Sequence, residues 1–428
     1  MKQINLVYVC ENCGEESSKW SGRCSNCGQW NSLVEMRGLN KKNKAARGDL
    51  ASPISINAIG IGNFINISTG LGEFDRVIGG GIVPGSLLLL AGDPGIGKST
   101  LLLMVAERMK EVLYVSGEES CEQIKLRADR LKVKNGDIKV LAETNVNYIC
   151  ELISKDKPAL VVVDSIQAMY DENFPSTPGS IVQVRECALK LQRVAKTLHI
   201  PIVLVGHATK DGSVAGPRTL EHLVDAVFYL EGDRFKETRI LRGIKNRFGP
   251  TDEIGIFAME GSGLKEILNP SELFLEERVG SSGSVVTATM EGSRPFLVEI
   301  QALTATTVFG YPRRTASGFD ANRLQLLLAV LTNKAKLQLQ NQDVYINVVG
   351  GFQLKEPAVD LAVAMAVVSS FHNKAIDSKL CVFGEIGLSG EIRNVPQADK
   401  RKKEAKRLGF TEMTHVRNVH DVINLLFK

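Results

Sequence analysis

The chain of 428 residues exceeds what one hydrophobic core usually organises, so two or three domains are expected. Its composition, 44% hydrophobic and 23% charged, is ordinary for a globular protein. The sequence has no run of eighteen apolar residues and no signal-peptide pattern at its N-terminus, which predicts a soluble, cytoplasmic protein without a membrane partner. A net charge of +4 is too small to indicate nucleic-acid binding by itself.

Two cysteine pairs near the N-terminus predict a metal site. Each pair has the spacing Cys-x2-Cys, and the four members are Cys10, Cys13, Cys24 and Cys27. The doubled spacing is typical of a four-thiolate Zn²⁺ site. Two disulfides or a redox pair are the alternatives, and a reducing compartment disfavours both. We therefore expect a zinc-binding module over residues 1–35, whose folding energy comes from the metal.

The next segment, residues 36–66, shows no steady periodicity and carries a basic run at Lys41, Lys42, Lys44 and Arg47. This pattern predicts a linker. It is either a solvated tether or a segment that touches phosphates.

A glycine-rich stretch predicts a nucleotide site. It matches G-x-x-x-x-G-K-[ST] with Gly92, Asp93, Pro94, Gly95, Ile96, Gly97, Lys98, Ser99 and Thr100. A buried strand is expected before it, over Ser86–Ala91, and a helix after it, over Leu101–Lys110. Backbone N–H groups at the start of that helix favour phosphate. We expect ATP here, with Lys98 on the β- and γ-phosphates and Ser99 on Mg²⁺.

Strands that alternate with helices follow, at Val112–Ser116, Ala159–Asp164 and Ile202–Gly206. This order predicts an α/β core, a parallel sheet with helices on both faces. An apolar run that ends in Asp164 predicts the carboxylate that holds the water shell of Mg²⁺.

A glutamate beyond the strand Val112–Ser116 is the candidate for polarising the attacking water. Ligands bind at strand carboxyl ends in such sheets, which favours Glu118, with Glu119 as the fallback. Two solvated loop carboxylates are the alternative.

The motif that precedes the phosphate loop identifies a relationship. S-T-G-x-x-E-F-D-x-x-x-G-G-G-x-x-x-G-S, from Ser68 to Ser86, followed by G-D-P-G-I-G-K-S-T, resembles the bacterial RadA (Sms) family, relatives of RecA. The resemblance covers essentially the whole chain and fits the zinc module. It implies a RecA-like ATPase domain over residues 67–270, and it places the catalytic glutamate at Glu118.

The same resemblance assigns further residues. It implies that His207 senses the γ-phosphate, and that Lys210 and Arg218 are cations of a DNA-contacting loop. Tyr170–Ser180 would be a second DNA-facing loop. Lys245 and Arg247, in the pentapeptide Lys-Asn-Arg-Phe-Gly, would act on a neighbouring subunit's site as trans-acting catalytic cations. DNA-phosphate contact and a simple hairpin turn are the other interpretations of this short turn.

From about Val279 short strands are expected at Ser284–Glu291, Pro295–Leu303 and Val344–Val349, followed by a helix over Pro357–Ser370. Residues 382–393 resemble the proteolytic domain of Lon, whose chemistry needs a serine and a lysine. Alignment puts Ala358 at the serine position, and the lysine position falls near Asp399 or Lys400. We therefore predict an α+β Lon-protease-like scaffold over residues 271–428 without peptidase activity.

Residues Lys400 to Arg407 include six basic residues in eight, which predicts a helix with cations on several faces. A solvated helix and a DNA-binding surface are both compatible with this run.

Together these patterns predict a DNA-dependent ATPase of recombinational repair that translocates on DNA to promote branch migration. Single-stranded and branched DNA, the RecA recombinase and a homo-hexameric ring are the expected partners and assembly. An ATP-dependent protease and a non-catalytic, ATP-switched DNA-binding adaptor are the rival functions.

Overall fold

The computed structural model describes residues 6–10, 15–37, 55–58, 66–207, 217–232, 238–276, 278–308, 310–351, 353–412 and 416–427. The chain divides into two compact units, Met1–Ile267 and Leu268–Lys428. Within these residues, the model has no helix that combines the length and the apolar character needed to cross a membrane.

A small antiparallel sheet forms the N-terminal module. Its strands, in the spatial order β2-β1-β3, are β1 Leu6–Cys10, β2 Glu16–Ser17 and β3 Leu33–Arg37. Among the side chains that the structure describes here, Cys10, Cys24 and Leu33 are buried together, with Tyr8 packed against them. Two of these three are cysteines, which agrees with a module built around a metal.

A nine-stranded mixed sheet forms the centre of the first unit, in the order β12-β11-β10-β9-β4-β8-β7-β5-β6. The six strands from β9 to β6 in this order are parallel, and β10, β11 and β12 extend the sheet antiparallel. The strands are β4 Leu87–Gly92, β5 Val112–Ser116, β6 Ile138–Ala142, β7 Leu160–Asp164, β8 Ile202–His207, β9 Ala226–Glu231, β10 Thr238–Asn246, β11 Ile254–Glu260 and β12 Gly263–Glu266.

Helices cover both faces of this sheet. Because side chains alternate along a strand, Leu88 and Leu90 join a core with α1 and α2, whereas Leu87 and Leu89 join a core with α4 and α5. The helices are α1 Gly72–Ile78, α2 Lys98–Arg108, α3 Cys121–Arg130, α4 Val146–Asp156, α5 Ile181–Leu198 and α6 Pro217–Leu220. The expected strands are confirmed within a residue, and α2 begins three residues before the expected start because the phosphate loop runs directly into it.

The second unit is α+β. Its six-stranded sheet has the order β15-β16-β14-β13-β17-β20, and β18 and β19 form a separate pair. The strands are β13 Ser284–Glu291, β14 Arg294–Thr306, β15 Arg314–Ser317, β16 Gln342–Val348, β17 Leu380–Cys381, β18 Glu385–Ile386, β19 Ile392–Arg393 and β20 Thr411–Glu412. The helices are α7 Pro270–Leu275, α8 Ala321–Lys334, α9 Asp360–Phe371, α10 Ala398–Arg407 and α11 Val419–Phe427.

The helix expected over Pro357–Ser370 consists of two parts. A single 3-10 turn, Pro357–Val359, precedes α9. Proline at the first position of that turn lacks the N–H that would be unpaired there. Every residue of α9 from Asp360 to Ser369 is buried, so this helix lies at the centre of its unit. The expected fold class, a RecA-like α/β core with a zinc module and a Lon-like α+β domain, is confirmed, while the exact domain boundaries stay predictions.

Candidate active site

The candidate site lies at the carboxyl ends of the parallel strands, where β4 runs through a glycine-rich loop into α2. A cavity of about 320 Å³ opens there. Its lining brings together residues from four strand ends, including Lys98, Ser99, Glu118, Arg127, Asp164 and His207. Predicted site residues that are far apart in the sequence thus meet in one cavity.

Two glycines of the loop are required by close contacts. A Cβ atom at Gly92 would lie 2.4 Å from the carbonyl oxygen of Leu230, and one at Gly97 would lie 2.7 Å from Cε of Met259. Gly97 also has φ 115° at the start of α2, a conformation that side chains disfavour. The loop can therefore pass close to its neighbours and present its N–H groups to an anion.

Lys98 is buried at the base of the loop. Its Nζ donates to the carbonyl oxygens of Gly92 at 2.9 Å and Asp93 at 3.0 Å. Burial lowers the pKa of Lys98, although the charges of Asp164, Asp93 and Glu118 oppose this shift. An ammonium that donates to neutral carbonyl oxygens can exchange them for the oxygens of an anionic ligand.

Glu118 and Glu119 have different environments. The Ser165 hydroxyl donates to Oε1 of Glu118, and Nε2 of His207 lies 3.4 Å from the same oxygen. Hydrogen bonds from His207 and Ser165 lower the pKa of Glu118 to about 2, against the effect of burial. Glu119 instead pairs with the guanidinium of Arg127. Glu119 is thus engaged by a cation, whereas Glu118 contacts Ser165 and His207, and the choice of Glu118 as the catalytic carboxylate stays a prediction.

His207 lies at the end of β8, as the sequence predicts, and its imidazole contacts the carboxylate of Glu118. Its Nδ1 is buried and has no hydrogen-bond partner among the residues that the structure describes. The expected role of His207 as a γ-phosphate sensor stays a prediction. The contact does show a direct link between this imidazole and the candidate catalytic carboxylate.

Asp164 ends β7 beside this cluster. The hydroxyl of Tyr114 donates to its Oδ2 at 2.6 Å. Sequence reasoning missed Tyr114, Ser165 and Arg127. The first lies inside an apolar strand, and nothing in the local pattern distinguishes the other two from ordinary loop and helix residues.

The donor set fits Mg²⁺ and a nucleoside triphosphate. Mg²⁺ prefers oxygen ligands and usually keeps several waters, and the Ser99 hydroxyl and the Asp164 carboxylate supply such oxygens. Lys98 and the loop N–H groups supply the positive potential that a polyphosphate needs. The residues present therefore match both cofactor expectations at this position.

The pentapeptide at Lys245 is only partly a turn. Lys245 and Asn246 belong to the end of β10, so the expectation of a short turn holds for Arg247–Gly249 and is wrong for the first two residues. The Lys245 ammonium donates to the carbonyl oxygens of Glu221 at 2.5 Å and Val224 at 2.9 Å. Arg247 pairs with Asp225 at 3.2 Å.

Of the expected DNA-facing residues, Lys210 and the side chain of Arg218 lie outside the described part of the chain. The structure describes the loop Tyr170–Ser180, which is held by a side chain of the following helix, α5. The Gln183 amide donates to the carbonyl oxygens of Asp171, Phe174 and Ser176. Asp171 itself is buried and pairs with Lys190.

The N-terminal cysteines converge. Sulfur atoms of Cys10, Cys24 and Cys27 all lie within 4.8 Å of one another, and the Cys10 and Cys27 sulfurs are 3.6 Å apart. Cys13 lies outside the described residues. Three converging thiols fit a tetrahedral zinc ion, with one position left for a further ligand.

The protease-like segment of the second unit carries no nucleophile at the predicted serine position, where Ala358 is buried. Lys400 donates to the carbonyl oxygen of Ser293 at 3.3 Å. Two arginines reach the Ala358 segment: Arg401 pairs with Glu356 at 2.5 Å, and Arg323 pairs with Asp360. A guanidinium cannot serve as a base because it stays protonated.

The same contact corrects the expectation for α10. Arg401 exposes 1% of its surface, so it is not one of the surface cations predicted from the run Lys400–Arg407. Arg407 is half-exposed and pairs with Glu404. Fewer cations than the sequence suggests are left to contact DNA.

Comparison with family models finds three partial matches. A family of unknown function, DUF7125, matches residues 66–248. The rubredoxin metal-binding domain matches residues 8–35, and subunit ChlI of Mg-chelatase matches residues 300–416. The second match supports a zinc ribbon around the converging cysteines.

Curated relatives match nearly the full chain. The DNA repair protein RadA of Bacillus subtilis is 52% identical, covering 96% of this chain and 93% of that protein. The proteins of the same name from Listeria monocytogenes and Streptococcus pyogenes serotype M6 are 51% and 47% identical, covering 94% and 99% of this chain and 90% and 95% of their own lengths.

Among solved structures, the RadB recombinase is similar with a TM-score of 0.38 and 24% identity, over 47% of this chain and 99% of that one. A second solved structure, an isolated ATPase domain, is similar with a TM-score of 0.40 and 18% identity, over 48% of this chain and 93% of that one.

Proposed function

Because the chain belongs to the RadA family of DNA repair proteins, we propose that it is a DNA-stimulated ATPase that processes recombination intermediates. It translocates on DNA and thereby promotes branch migration of strand-exchange products. The observation that carries this proposal is the convergence of Lys98, Ser99, Glu118 and Asp164 on one cavity. A non-catalytic adaptor would have no need for an ionised glutamate beside its phosphate loop.

Each residue then has a role in phosphoryl transfer. Lys98 binds the β- and γ-phosphates and exchanges its contacts with the loop carbonyls for contacts with phosphate oxygens. Ser99 and Asp164 hold Mg²⁺, which neutralises charge on the phosphates when bound. Glu118 orients and polarises the attacking water, a role that its ionised form suits.

The link to DNA runs through His207. It contacts Glu118 and ends β8, immediately before the segment that contains Lys210 and Arg218. Lys210, Arg218 and the loop Tyr170–Ser180 contact the phosphates of single-stranded and branched DNA, and the RecA recombinase is the expected protein partner. Movement of His207 on ATP binding or phosphate release would then change the position of these contacts.

The protein assembles as a ring, most simply a homo-hexamer, in which Lys245 and Arg247 complete the site of a neighbouring subunit. In the single chain both cations are held by contacts near Asp225. Their action in trans requires them to exchange these contacts for phosphate oxygens. Cations that approach the transferred phosphoryl group stabilise its charge.

Phosphate release measured with single-stranded, double-stranded and forked DNA tests the function. We expect stimulation by single-stranded and forked DNA, and strand exchange between labelled branched substrates that depends on ATP. Lys98→Ala should abolish both activities. Turnover that does not respond to any DNA, or branch migration that persists without hydrolysis, would contradict the proposal.

Two variants test the proposed contacts between the protein and DNA. Lys210→Ala and Arg218→Ala should each weaken single-strand binding for all sequences alike and reduce the salt dependence by roughly one ion. A sequence-selective loss would instead place these side chains on bases.

Mixed rings test the trans assignment. Lys98→Ala and Lys245→Ala should each be inactive, yet after subunit exchange in equal amounts about a quarter of the interfaces join an intact loop to an intact Lys245, as head-to-tail symmetry requires. Recovery of activity supports action in trans. No recovery, with exchange verified by a labelled subunit, would show that Lys245 acts within its own chain.

A further inference from the structure

Tyr114 lies in the middle of β5, and its hydroxyl reaches the carboxylate at the end of the neighbouring strand. The hydroxyl donates to Oδ2 of Asp164 at 2.6 Å. In the parallel register of β5 and β7, Ser116 lies opposite Asp164, and Tyr114 lies two residues before Ser116. The side chains of Tyr114 and Asp164 therefore project from the same face of the sheet. Only a long side chain spans such a diagonal.

The ring of Tyr114 is fixed by packing. Tyr114 exposes 1% of its surface and belongs to the same apolar core as Ile124 and Val162. Side chains in a close-packed core occupy one rotamer. The phenolic oxygen is therefore held at a constant position relative to the end of β7.

The hydroxyl is costly to bury for packing alone. Phenylalanine would fill nearly the same volume without a polar atom, and a hydroxyl removed from water without a partner costs roughly 2–7 kcal/mol. The carboxylate of Asp164 is the partner that offsets this cost.

We propose that Tyr114 is a positioning residue that acts through Asp164 on the Mg²⁺ ion accompanying ATP, an inference that rests on the proposed ATPase function. A carboxylate whose Oδ2 is held by a fixed donor has little freedom to rotate. Asp164 is therefore kept in one orientation at the edge of the cavity that contains Lys98 and Ser99. Hydrogen bonds to metal-binding carboxylates commonly tune affinity in this manner.

The variant Tyr114→Phe removes the hydroxyl and retains the ring. The primary measurement is the affinity for a fluorescent ATP analogue in EDTA and at increasing Mg²⁺. We expect equal affinity in EDTA and about a tenfold higher Mg²⁺ concentration for the half-maximal response. Half-saturation of hydrolysis by Mg²⁺ should shift similarly, with a smaller change in maximal rate. Tyr148→Phe, on the partly exposed face of α4, is the matched control and should behave as the unmutated chain does.

An unchanged Mg²⁺ response in Tyr114→Phe would overturn the proposal. So would a loss of affinity in EDTA, since this would place the hydroxyl in the fold of the site rather than in metal positioning. The binding measurement does not need turnover. If the unmutated chain binds nucleotide with Mg²⁺ but does not hydrolyse it, the proposed function fails while the metal shift still decides the role of Tyr114.

A double-mutant cycle tests whether Tyr114 acts through Asp164. In the background Asp164→Asn, adding Tyr114→Phe should leave the remaining Mg²⁺ response unchanged, because residues of one hydrogen-bonded pair are not additive. A further tenfold loss in that background would show that the hydroxyl affects the metal by another route, and would contradict the mechanism proposed.

Discussion

The candidate nucleotide site of the first unit and the protease-like segment of the second unit both contain paired charges, but the charges have different surroundings. Around the phosphate loop, Lys98 and Glu118 line an open cavity. In the second unit, Arg401 is paired with Glu356, and Asp360 with Arg323. The charges of the second unit are engaged with one another, whereas those of the candidate nucleotide site face a cavity where a ligand could replace their present contacts.

The energetic roles differ accordingly. A buried ion pair contributes little net stability, although removal of one partner leaves an uncompensated charge. The Arg401 guanidinium also donates to the carbonyl oxygen of Ala288 and to both carboxylate oxygens of Glu356. That network holds strand, helix and the Ala358 segment together. Its contacts are those of a structural network.

The largest effect is expected for Glu118→Gln. Loss of the carboxylate should reduce ATP hydrolysis about a thousandfold, the middle of the range for a general base. Nucleotide binding, followed by fluorescence, should persist. Glu119→Gln is the control and should reduce the rate far less, because Glu119 is engaged by Arg127. Equal losses in the two variants would contradict the distinction between them.

Arg401→Met should destabilise the second unit by about 3 kcal/mol, because Glu356 loses its cationic partner and keeps only the donors of Thr289 and Met290. Hydrogen–deuterium exchange of peptides from α10 and β13 in the full chain measures this change. Combining it with Glu356→Gln should restore part of the protection. ATP hydrolysis per folded molecule in the absence of DNA should not change. A loss of this activity would contradict a purely structural role for Arg401.

Ala358→Ser places a hydroxyl at the position that a Lon-type protease would use. We expect no hydrolysis of casein or of fluorogenic peptides, since Arg401 and Arg323, which pair with Glu356 and Asp360 beside this position, carry guanidinium groups that cannot act as bases. Burial of the hydroxyl should cost about 1–3 kcal/mol of stability. Peptide hydrolysis that appears in this variant and not in the unmutated chain would show that a latent base exists.

The smallest effect concerns pH. The pKa of Glu118 is held at about 2, chiefly by His207, whereas its ordinary value is 4.5. His207→Ala should raise this pKa toward 4.5, so that activity is lost as pH falls through a higher value. About a quarter of Glu118 would then be protonated at about pH 5. The pH profile of hydrolysis, compared with that of the variant carrying both Glu118→Gln and His207→Ala, isolates this ionisation. If hydrolysis is lost at the same low pH in His207→Ala as in the unmutated chain, His207 does not set the pKa of Glu118.

Local patterns predicted much of the fold. The phosphate loop, the strands that alternate with helices and the carboxylate at the end of β7 are all specified within short windows of sequence. These features depend on spacing and apolar periodicity, which a single chain displays directly. The choice of Ala358 as the inactive position likewise needed only one aligned segment.

Residues whose roles depend on distant partners were not predictable in this way. Tyr114 appears as one more apolar position of a strand until β7 is placed beside it. Arg401 appears as a surface cation until Glu356, 45 positions earlier, is found opposite. Lys245 was expected on a turn, and the pairing of β10 with β9 placed it in a strand instead. In each case long-range contact, not local propensity, decided the environment.

The Gln183 side chain limits the flexibility of the loop that is proposed to contact DNA. The side-chain amide of Gln183 donates to three carbonyl oxygens of the loop Tyr170–Ser180, and these contacts stiffen the segment from Asp171 to Ser176. A stiff element transmits a small displacement at its root to its tip without absorbing it. It also binds with little loss of conformational entropy, because its shape is set in advance. If the loop contacts DNA as proposed, it would therefore do so with its shape already set.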